Sequence, residues 1–295
     1  MTRQIAVVSG KGGTGKTSLA ALWGARNAKR PVFVDADVDA SNLPLAFRHT
    51  LRERHRFIGR EVAVVDQAVC TECGVCTDLC RFGAFITREN GNRVSYEVDP
   101  LACEGCTLCS LACPSHAISM VPHESGDWFV SDTPYGPLVH AQLSIAEGNS
   151  GKLGTQVRRA GEDLAEEENR DLILIDGPPG IGCQTIAALT GVDLAVVVTE
   201  PSASGRHDMA RVLAVIARLG VPAVVILNKV DLAPAQEDPI RLAAAQHGAD
   251  LVGTVPFVPE LPRALAMGTL IESPPPGLVS AMSVLWARIW SHLPD

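Results

Sequence analysis

The sequence predicts an α/β fold: a mainly parallel sheet covered by helices on both faces, interrupted by a small inserted α+β domain. Three observations predict it. Short apolar runs alternate with helical patterns along most of the chain. A glycine-rich segment, Gly10 to Thr17, joins the first apolar run to the first helical pattern. The stretch Glu61 to Pro122 breaks the alternation and holds eight of the nine cysteines. The expected division is therefore 1–60, the first part of the main domain; 61–122, the insertion; and 123–295, the second part.

Gln4 to Ser9 is apolar and ends in glycines, so it reads as a buried strand. Lys16 to Lys29 is rich in Ala and Leu and reads as a helix. Pro31 to Val34 reads as a second strand, ending at Asp35. Beyond the insertion, strands are predicted over Leu172–Ile175, Leu194–Thr199 and Ala223–Leu227. Helical patterns at Thr155–Glu168, His207–Leu219 and Pro239–His247 alternate with them. Near the end, Leu278, Met282, Leu285, Ile289 and Leu293 lie at helical spacing beside Trp286 and Trp290. Helices that lie on membranes are usually rich in basic residues on the polar face. This one offers only Arg288 and His292, so packing against the main domain is expected.

Composition sets the outer limits. The chain of 295 residues is 46% hydrophobic and 20% charged, ordinary values that exclude global disorder. The longest apolar stretches, Asp193–Thr199 and Val221–Leu227, fall far short of the ~20 residues of a membrane span. The apolar run Ile5–Val8 is too short for a signal peptide. A cytoplasmic chain without stable membrane insertion is expected, with cysteines serving metal ligation rather than disulfides. The net charge of −8 is uneven: +7 over 1–60, −5 over 61–122 and −10 over 123–295. An acidic chain is a poor general binder of nucleic acid, and none is expected as a partner. The exception is the run Arg48, Arg52, Arg54, Arg56 and Arg60, with His49 and His55 between them. It reads as a solvated face or an internal docking surface, with an acidic partner or nucleic acid as the alternative.

Gly10-Lys11-Gly12-Gly13-Thr14-Gly15-Lys16-Thr17 fits G-x-x-x-x-G-K-[ST] and stands between a predicted strand and a predicted helix. Glycines let backbone N–H groups face a phosphate, and the helix N-terminus adds positive potential. Lys16 then reaches the β- and γ-phosphates, and Thr17 binds Mg²⁺. Asp176 follows the apolar run Leu172–Ile175, the strand-end carboxylate that holds Mg²⁺. Gly177-Pro178-Pro179-Gly180 after it reads as a γ-phosphate-sensing switch. Asp35-Ala36-Asp37-Val38-Asp39 follows the second strand, where ligands bind in such sheets.

The second lysine in this loop, Lys11, makes it closely resemble the deviant P-loop of the MinD/ParA/Mrp ATPases and the nitrogenase iron protein. Residues 1–45 and about 150–270 carry the resemblance, Ser150-Gly151-Lys152-Leu153 included. It implies a P-loop NTPase forming a nucleotide-sandwich homodimer, or a heterodimer with a paralogue, in which Lys11 of one subunit touches the phosphates bound by the other. It further implies that Asp37 positions the attacking water and that Asp35 supports the Mg²⁺ shell. Asn228-Lys229-Val230-Asp231 fits the guanine-reading N-K-x-D of GTPases, so GTP stays open. The resembling ATPases also carry an Asn here, against adenine, and Lys11 favours ATP. Gly253 to Ala264, with Pro256, looks like their loop beside the base.

The insertion repeats itself. Cys70, Cys73, Cys76 and Cys80 recur 33 residues later as Cys103, Cys106, Cys109 and Cys113, and Ala84 recurs as Ala117. C-x2-C-x2-C-x3-C wraps three thiolates around one cubane and lends its fourth to the other. The expected sets are Cys70, Cys73, Cys76 and Cys113 for one [4Fe-4S] cluster, and Cys103, Cys106, Cys109 and Cys80 for the second. The region resembles a bacterial two-cluster ferredoxin, although Arg81, not proline, follows Cys80. Zinc is the alternative for paired C-x-x-C. The ninth cysteine, Cys183, lies seven residues after Asp176, the offset of a cluster ligand in the nitrogenase iron protein. Two dimer-related thiols do not make a four-thiolate site, so Cys183 reads as a small residue at a helix start or as a redox-sensitive thiol.

Together these parts resemble MinD-superfamily ATPases with an inserted ferredoxin domain. Three roles follow: a nucleotide-gated electron carrier with a redox partner, an ATP-dependent factor assembling metal or iron–sulfur centres in a client protein, or a redox-sensing positioning protein. The first is the leading expectation. The second loses ground because no cysteine follows Cys183 to make the C-terminal C-x-x-C of Mrp-type carriers.

Overall fold

The computed structural model describes residues 2–26, 29–91, 93–145, 147–275 and 278–294. The chain divides into two compact units. The first comprises 1–55, 128–142 and 150–295, and the second comprises 56–127 and 143–149.

The first unit is built on parallel strands. β1 (Arg3–Ser9) pairs in parallel with β8 (Leu172–Pro179) and β9 (Leu194–Thr199). β9 pairs with β10 (Ala223–Asn228), and β10 with β11 (Asp250–Val255), again in parallel. On the other side, β8 pairs with β2 (Val32–Asp35), which pairs in parallel with β7 (Gly136–Leu143). The sheet is completed by β6 (Ile118–Thr133) and β3 (Thr50–Val65), long strands whose remaining residues belong to the second unit. Strand β9 is buried throughout, as are Ile5–Ser9, Leu172–Gly177 and Val224–Asn228. Burial on both faces is why these strands read as continuous apolar runs.

Helices cover the sheet. The predicted helix Lys16–Lys29 is α1, Lys16–Ala25; Asn27 and Ala28 lie outside the described residues. It buries Leu19, Leu22 and Trp23, each worth about 1.5–3 kcal/mol relative to exposure. The other predicted helices are α4 (Ser150–Glu167), α6 (Ala203–Arg218) and α7 (Glu237–Gln246), with short α5 (Cys183–Leu189) and α8 (Leu261–Ala266) beside them. The C-terminal pattern is α9, Leu278–Trp290. It buries Leu278, Met282, Leu285 and Ile289 in the core of the first unit. Contact with β11 is close enough that a Cβ at Gly253 would stand 2.2 Å from Leu285.

The arginine run lies on and just before β3, a strand that sequence patterning misses because its first half is charged and mostly exposed. Four of its arginines meet carboxylates of their own units. Arg52 pairs with Asp132 and with Glu168 at 2.7 Å, and Arg48 with Glu272 at 3.0 Å. In the second unit Arg56 pairs with Glu124, and Arg60 with Glu147 at 3.1 Å.

The second unit carries α2 (Val75–Leu79), α3 (Leu108–Ala112) and an antiparallel hairpin of β4 (Phe85–Asn90) and β5 (Arg93–Val98). Val62, Ala63, Tyr96 and Ile118 pack with Cys76 and Cys103 in its core. The sequence repeat is also a backbone repeat. Left-handed residues recur at the 33-residue offset: Glu72 and Gly105 (φ 59° and 67°), Gly74 and Thr107 (74° and 64°), Gly83 and His116 (64° and 53°). Three of the six are not glycine, so the fold of each cysteine loop sustains a conformation that is unfavourable for such side chains.

Candidate functional site

In parallel sheets, ligands bind at the carboxyl ends of strands. Here that edge gathers Ser9, Asp35, Asp176 and Asn228. Register sets the carboxylates side by side: Asp176 is paired with Val7 on one flank and Asp35 on the other. Asp35 and Asp176 are 0% and 1% exposed. Asp35 accepts from the N–H groups of Asp37 (3.1 Å) and Leu43 (3.0 Å) and from Ser41 Oγ (2.8 Å). Thr17 Oγ1 donates to Asp176 Oδ2 at 2.6 Å, while Asp176 Oδ1 has no partner among the described residues. Burial pushes both carboxyls above their ordinary range. An orphaned buried carboxylate oxygen beside a threonine hydroxyl is a donor set that fits a hard divalent cation.

The loop Gly10–Thr17 stands over this edge. Gly15 has φ 93°, and a Cβ there would stand 2.5 Å from Asn228 Nδ2, so a side chain is excluded twice over. Lys16 Nζ lies 3.3 Å from Asp37 Oδ2. Burial works against the Lys16 charge, but Asp176, Asp37 and Asp35 outweigh it and hold the ammonium above its usual value. Asp37 is raised by burial, despite Lys16.

Residues around the loop brace it. Asn228 Nδ2 donates to Thr14 O at 2.7 Å, and Lys229 Nζ donates to Gly13 O at 2.9 Å. Asp231 Oδ1 accepts the Phe257 N–H at 2.5 Å, and so ties down the exposed segment that begins with Pro256 after β11. Lys11 is ion-paired with Glu200 and donates to Ser204 Oγ at 3.3 Å. Glu200 also lies 3.3 Å from Lys229 Nζ. Sequence reasoning missed Glu200 as a candidate, although the position was readable even if its partners were not: it follows the apolar run of β9 as Asp176 follows the run Leu172–Ile175. Asp39 is exposed and accepts from Gln184, the residue after Cys183. Cys183 is exposed as the first residue of α5.

In the second unit, two hollows lie among the cysteines. One is lined by Cys70, Cys73, Cys76 and Cys113, with Val65, Tyr96 and Ile118. The other is lined by Cys80, Cys103, Cys106 and Cys109, with Phe85, Leu108 and Met120. Each hollow thus takes three cysteines from one repeat and the last cysteine of the other. These lending cysteines accept equivalent backbone bonds, Ala84 N–H to Cys80 Sγ at 3.4 Å and Ala117 N–H to Cys113 Sγ at 3.3 Å. Burial raises the thiols of Cys76 and Cys109. All nine cysteines are free of disulfides. Among the described residues, no three His, Cys, Asp or Glu side chains converge as a single bound ion requires. Four thiols around an apolar hollow fit a polynuclear cluster better than a lone ion.

A parallel sheet with a glycine-rich loop, a lysine and two strand-end carboxylates at one edge defines a P-loop nucleotide-binding protein. More narrowly, the chain belongs to the CobQ/CobB/MinD/ParA nucleotide-binding domain family, whose model matches residues 5–271. It is 32% identical over 228 residues to the uncharacterized protein MJ0578 of Methanocaldococcus jannaschii, covering 77% of this chain and 78% of that one. A shorter match, 36% identical over 55 residues, is to the uncharacterized ferredoxin MJ0722 of the same organism, covering 19% of this chain and 71% of that one. The fold is similar to that of the septum site-determining protein MinD complexed with Mg-ADP from Pyrococcus horikoshii, with a TM-score of 0.54, 20% identity and coverage of 98% and 95%. Among the described residues no helix is long and apolar enough to cross a membrane.

Proposed function

We propose that this protein is an ATPase whose inserted module, 61–122, is a ferredoxin domain holding two [4Fe-4S] clusters, and that nucleotide state gates electron delivery to a redox partner. The observation that carries the reading is the sorting of eight cysteines into two four-thiol hollows with one cysteine exchanged between repeats. The similarity to a ferredoxin supports it. When bound, each cluster supplies a one-electron store.

At the nucleotide site, Lys16 and the N–H groups of Gly10–Thr17 hold the phosphates. Thr17 and Asp176 hold Mg²⁺, and Asp35 steadies that shell. Lys16 pairs with Asp37 in the structure. A γ-phosphate that takes Lys16 frees the Asp37 carboxylate to orient water. Lys11, once released by Glu200, reaches the phosphates of a second subunit in a nucleotide-dependent dimer. Asn228 and the Pro256 segment flank the base.

Anaerobic iron and acid-labile sulfide analysis tests the module: about eight of each per chain are expected for two clusters. Zinc without sulfide overturns the reading. Lys16→Ala should abolish tight nucleotide binding, whereas Asp37→Ala should bind ATP and hydrolyse it slowly. Unchanged turnover in Asp37→Ala removes the water-positioning role from that residue.

A further inference from the structure

The two cysteine loops of the second unit share one backbone frame, so a side-chain difference between them stands out. Cys80 and Cys113, the cysteines that line the hollow of the other repeat, end α2 and α3 with nearly the same dihedrals: φ −76°, ψ 103° and φ −71°, ψ 113°. Each Sγ accepts the backbone N–H four residues on, at 3.4 Å from Ala84 and 3.3 Å from Ala117. Gly83 and His116, in between, are both left-handed. Within this shared frame Ser115 stands where the first repeat has Phe82.

Ser115 Oγ lies 3.6 Å from Cys113 Sγ. Between a thiol and a hydroxyl either group can donate. A thiolate bound to iron carries no proton, so there the hydroxyl is the donor. Phe82 has no donor to offer. It lines the hollow of Cys80, Cys103, Cys106 and Cys109, together with Leu79, Leu108 and Met120. Hydrogen bonds to the sulfurs help to set the potential of an iron–sulfur centre. Reduction adds one negative charge; a donor to sulfur favours that charge, and apolar surroundings oppose it. The hydroxyl at one hollow and the phenyl ring at the other therefore act in the same direction. Arg81, in place of Pro114, acts the opposite way, but it is exposed and its charge is screened by solvent.

We infer that Ser115 is a positioning residue that acts through Cys113: its hydroxyl raises the potential of the centre at Cys70, Cys73, Cys76 and Cys113 above that of the centre at Cys80, Cys103, Cys106 and Cys109. A single electron shared between the two then resides mainly at the first. One electron is gained there and lost at the second, and no bond or proton changes. The inference rests on the two-cluster reading of the module.

The test is a potentiometric titration of the full chain, purified anaerobically and followed by EPR, with iron and acid-labile sulfide counted on the same samples. Cys76→Ser and Cys106→Ser, each removing one centre, assign the two spectra. The wild type should show two potentials, the higher belonging to the centre lost in Cys76→Ser. Ser115→Ala should weaken reduction of that centre about tenfold, a fall of ~59 mV, and change the other by less than about twofold. Ser115→Thr, which keeps the hydroxyl, should retain the wild-type potentials. If Ser115→Ala takes up too little iron to titrate, the order of the two wild-type potentials decides. Unchanged potentials in Ser115→Ala, equal shifts at both centres, the same fall in Ser115→Thr, or a higher potential at the centre lost in Cys106→Ser overturns the inference. A wild type with zinc and no sulfide, or with about four irons and not eight, sinks the two-cluster reading instead.

Discussion

Asp176→Asn should stabilise the metal-free protein while removing its response to MgATP. Asp35 and Asp176 face each other in register on adjacent strands, which lie about 4.8 Å apart. Were both ionised, two unit charges at that spacing would repel by about 3 kcal/mol at an effective dielectric of ~20, and burial together with this repulsion pushes Asp35 up to about 8. Removing the Asp176 charge relieves this but gives up a similar attraction to Lys16. What does not cancel is the burial cost of the carboxylate, which is 1% exposed with Oδ1 unpartnered. The carboxamide oxygen still accepts from Thr17. A net gain of about 1–3 kcal/mol is expected, the order of the cost of keeping a buried polar group unpaired. At about 2–4 °C per kcal/mol, Tm in EDTA should rise by about 2–12 °C. The sign with pH follows from the raised folded-state carboxyls: their contribution is full below the ordinary carboxylate range and is lost as pH rises toward the folded value. The advantage of the variant should therefore grow as pH rises from about 4. Wild type saturated with MgATP at a hundred times Kd gains about 2.7 kcal/mol, and the variant should gain little. Thermal unfolding with EDTA or with MgATP reads both. A variant less stable than wild type in EDTA, or stabilised equally by MgATP, would refute the reasoning.

Three further outcomes are expected. Cys80→Ser and Cys106→Ser should each deplete the same spectroscopic centre and about four irons, while Cys76→Ser depletes the other; Cys80 and Cys76 reporting on one centre would undo the crossed ligation. His140 lies against Phe129 and His49, and burial, helped by His49, lowers it from 6.5 to about 4. Its stabilising contribution is thus full above pH 6.5 and lost as pH falls toward 4, by about 3 kcal/mol at most, and pH-dependent unfolding of His140→Phe should be flatter over that interval. In competition binding ATP should displace GTP with at least about tenfold preference, about 1.4 kcal/mol, and Asp231→Asn should leave that ratio unchanged.

The strands β1, β8, β9 and β10 were legible because both faces are covered, which makes their sequences apolar without interruption. The carboxylates followed from the same fact, since a charge at the end of such a run is where the sheet opens to a ligand. The gathering of the cysteines around two hollows was legible from their spacing, and the crossed ligation remains the proposal carried by the two-cluster pattern. β3 was not legible. Its first half, Leu51–Arg56, is exposed or half-buried and charged, as suits an edge strand, and only later positions such as Phe57 and Val62 are buried. The clamp of Glu200 on Lys11 and Lys229 was not legible either, because it joins residues 189 and 29 apart whose types are ordinary one by one. Contacts of this kind, Gln184 with Asp39 and Arg60 with Glu147 included, depend on which strand ends become neighbours.

The N-K-x-D segment shows how geometry decides between two meanings of one motif. Asn228 and Lys229 donate to the backbone of Thr14 and Gly13, so their side chains hold the phosphate loop in shape. Such bracing is useful whatever base is bound and says nothing about guanine. Only the last carboxylate distinguishes the two, because a guanine reader must offer it to the base. Here Asp231 accepts the N–H of Phe257 at 2.5 Å and anchors the segment after β11. A guanine base would share that carboxylate with the Phe257 N–H, through the Asp231 oxygen the bond leaves free. An adenine base makes no such demand on Asp231. In this fold the first two residues of the motif therefore brace the phosphate loop, and their geometry carries no preference for guanine.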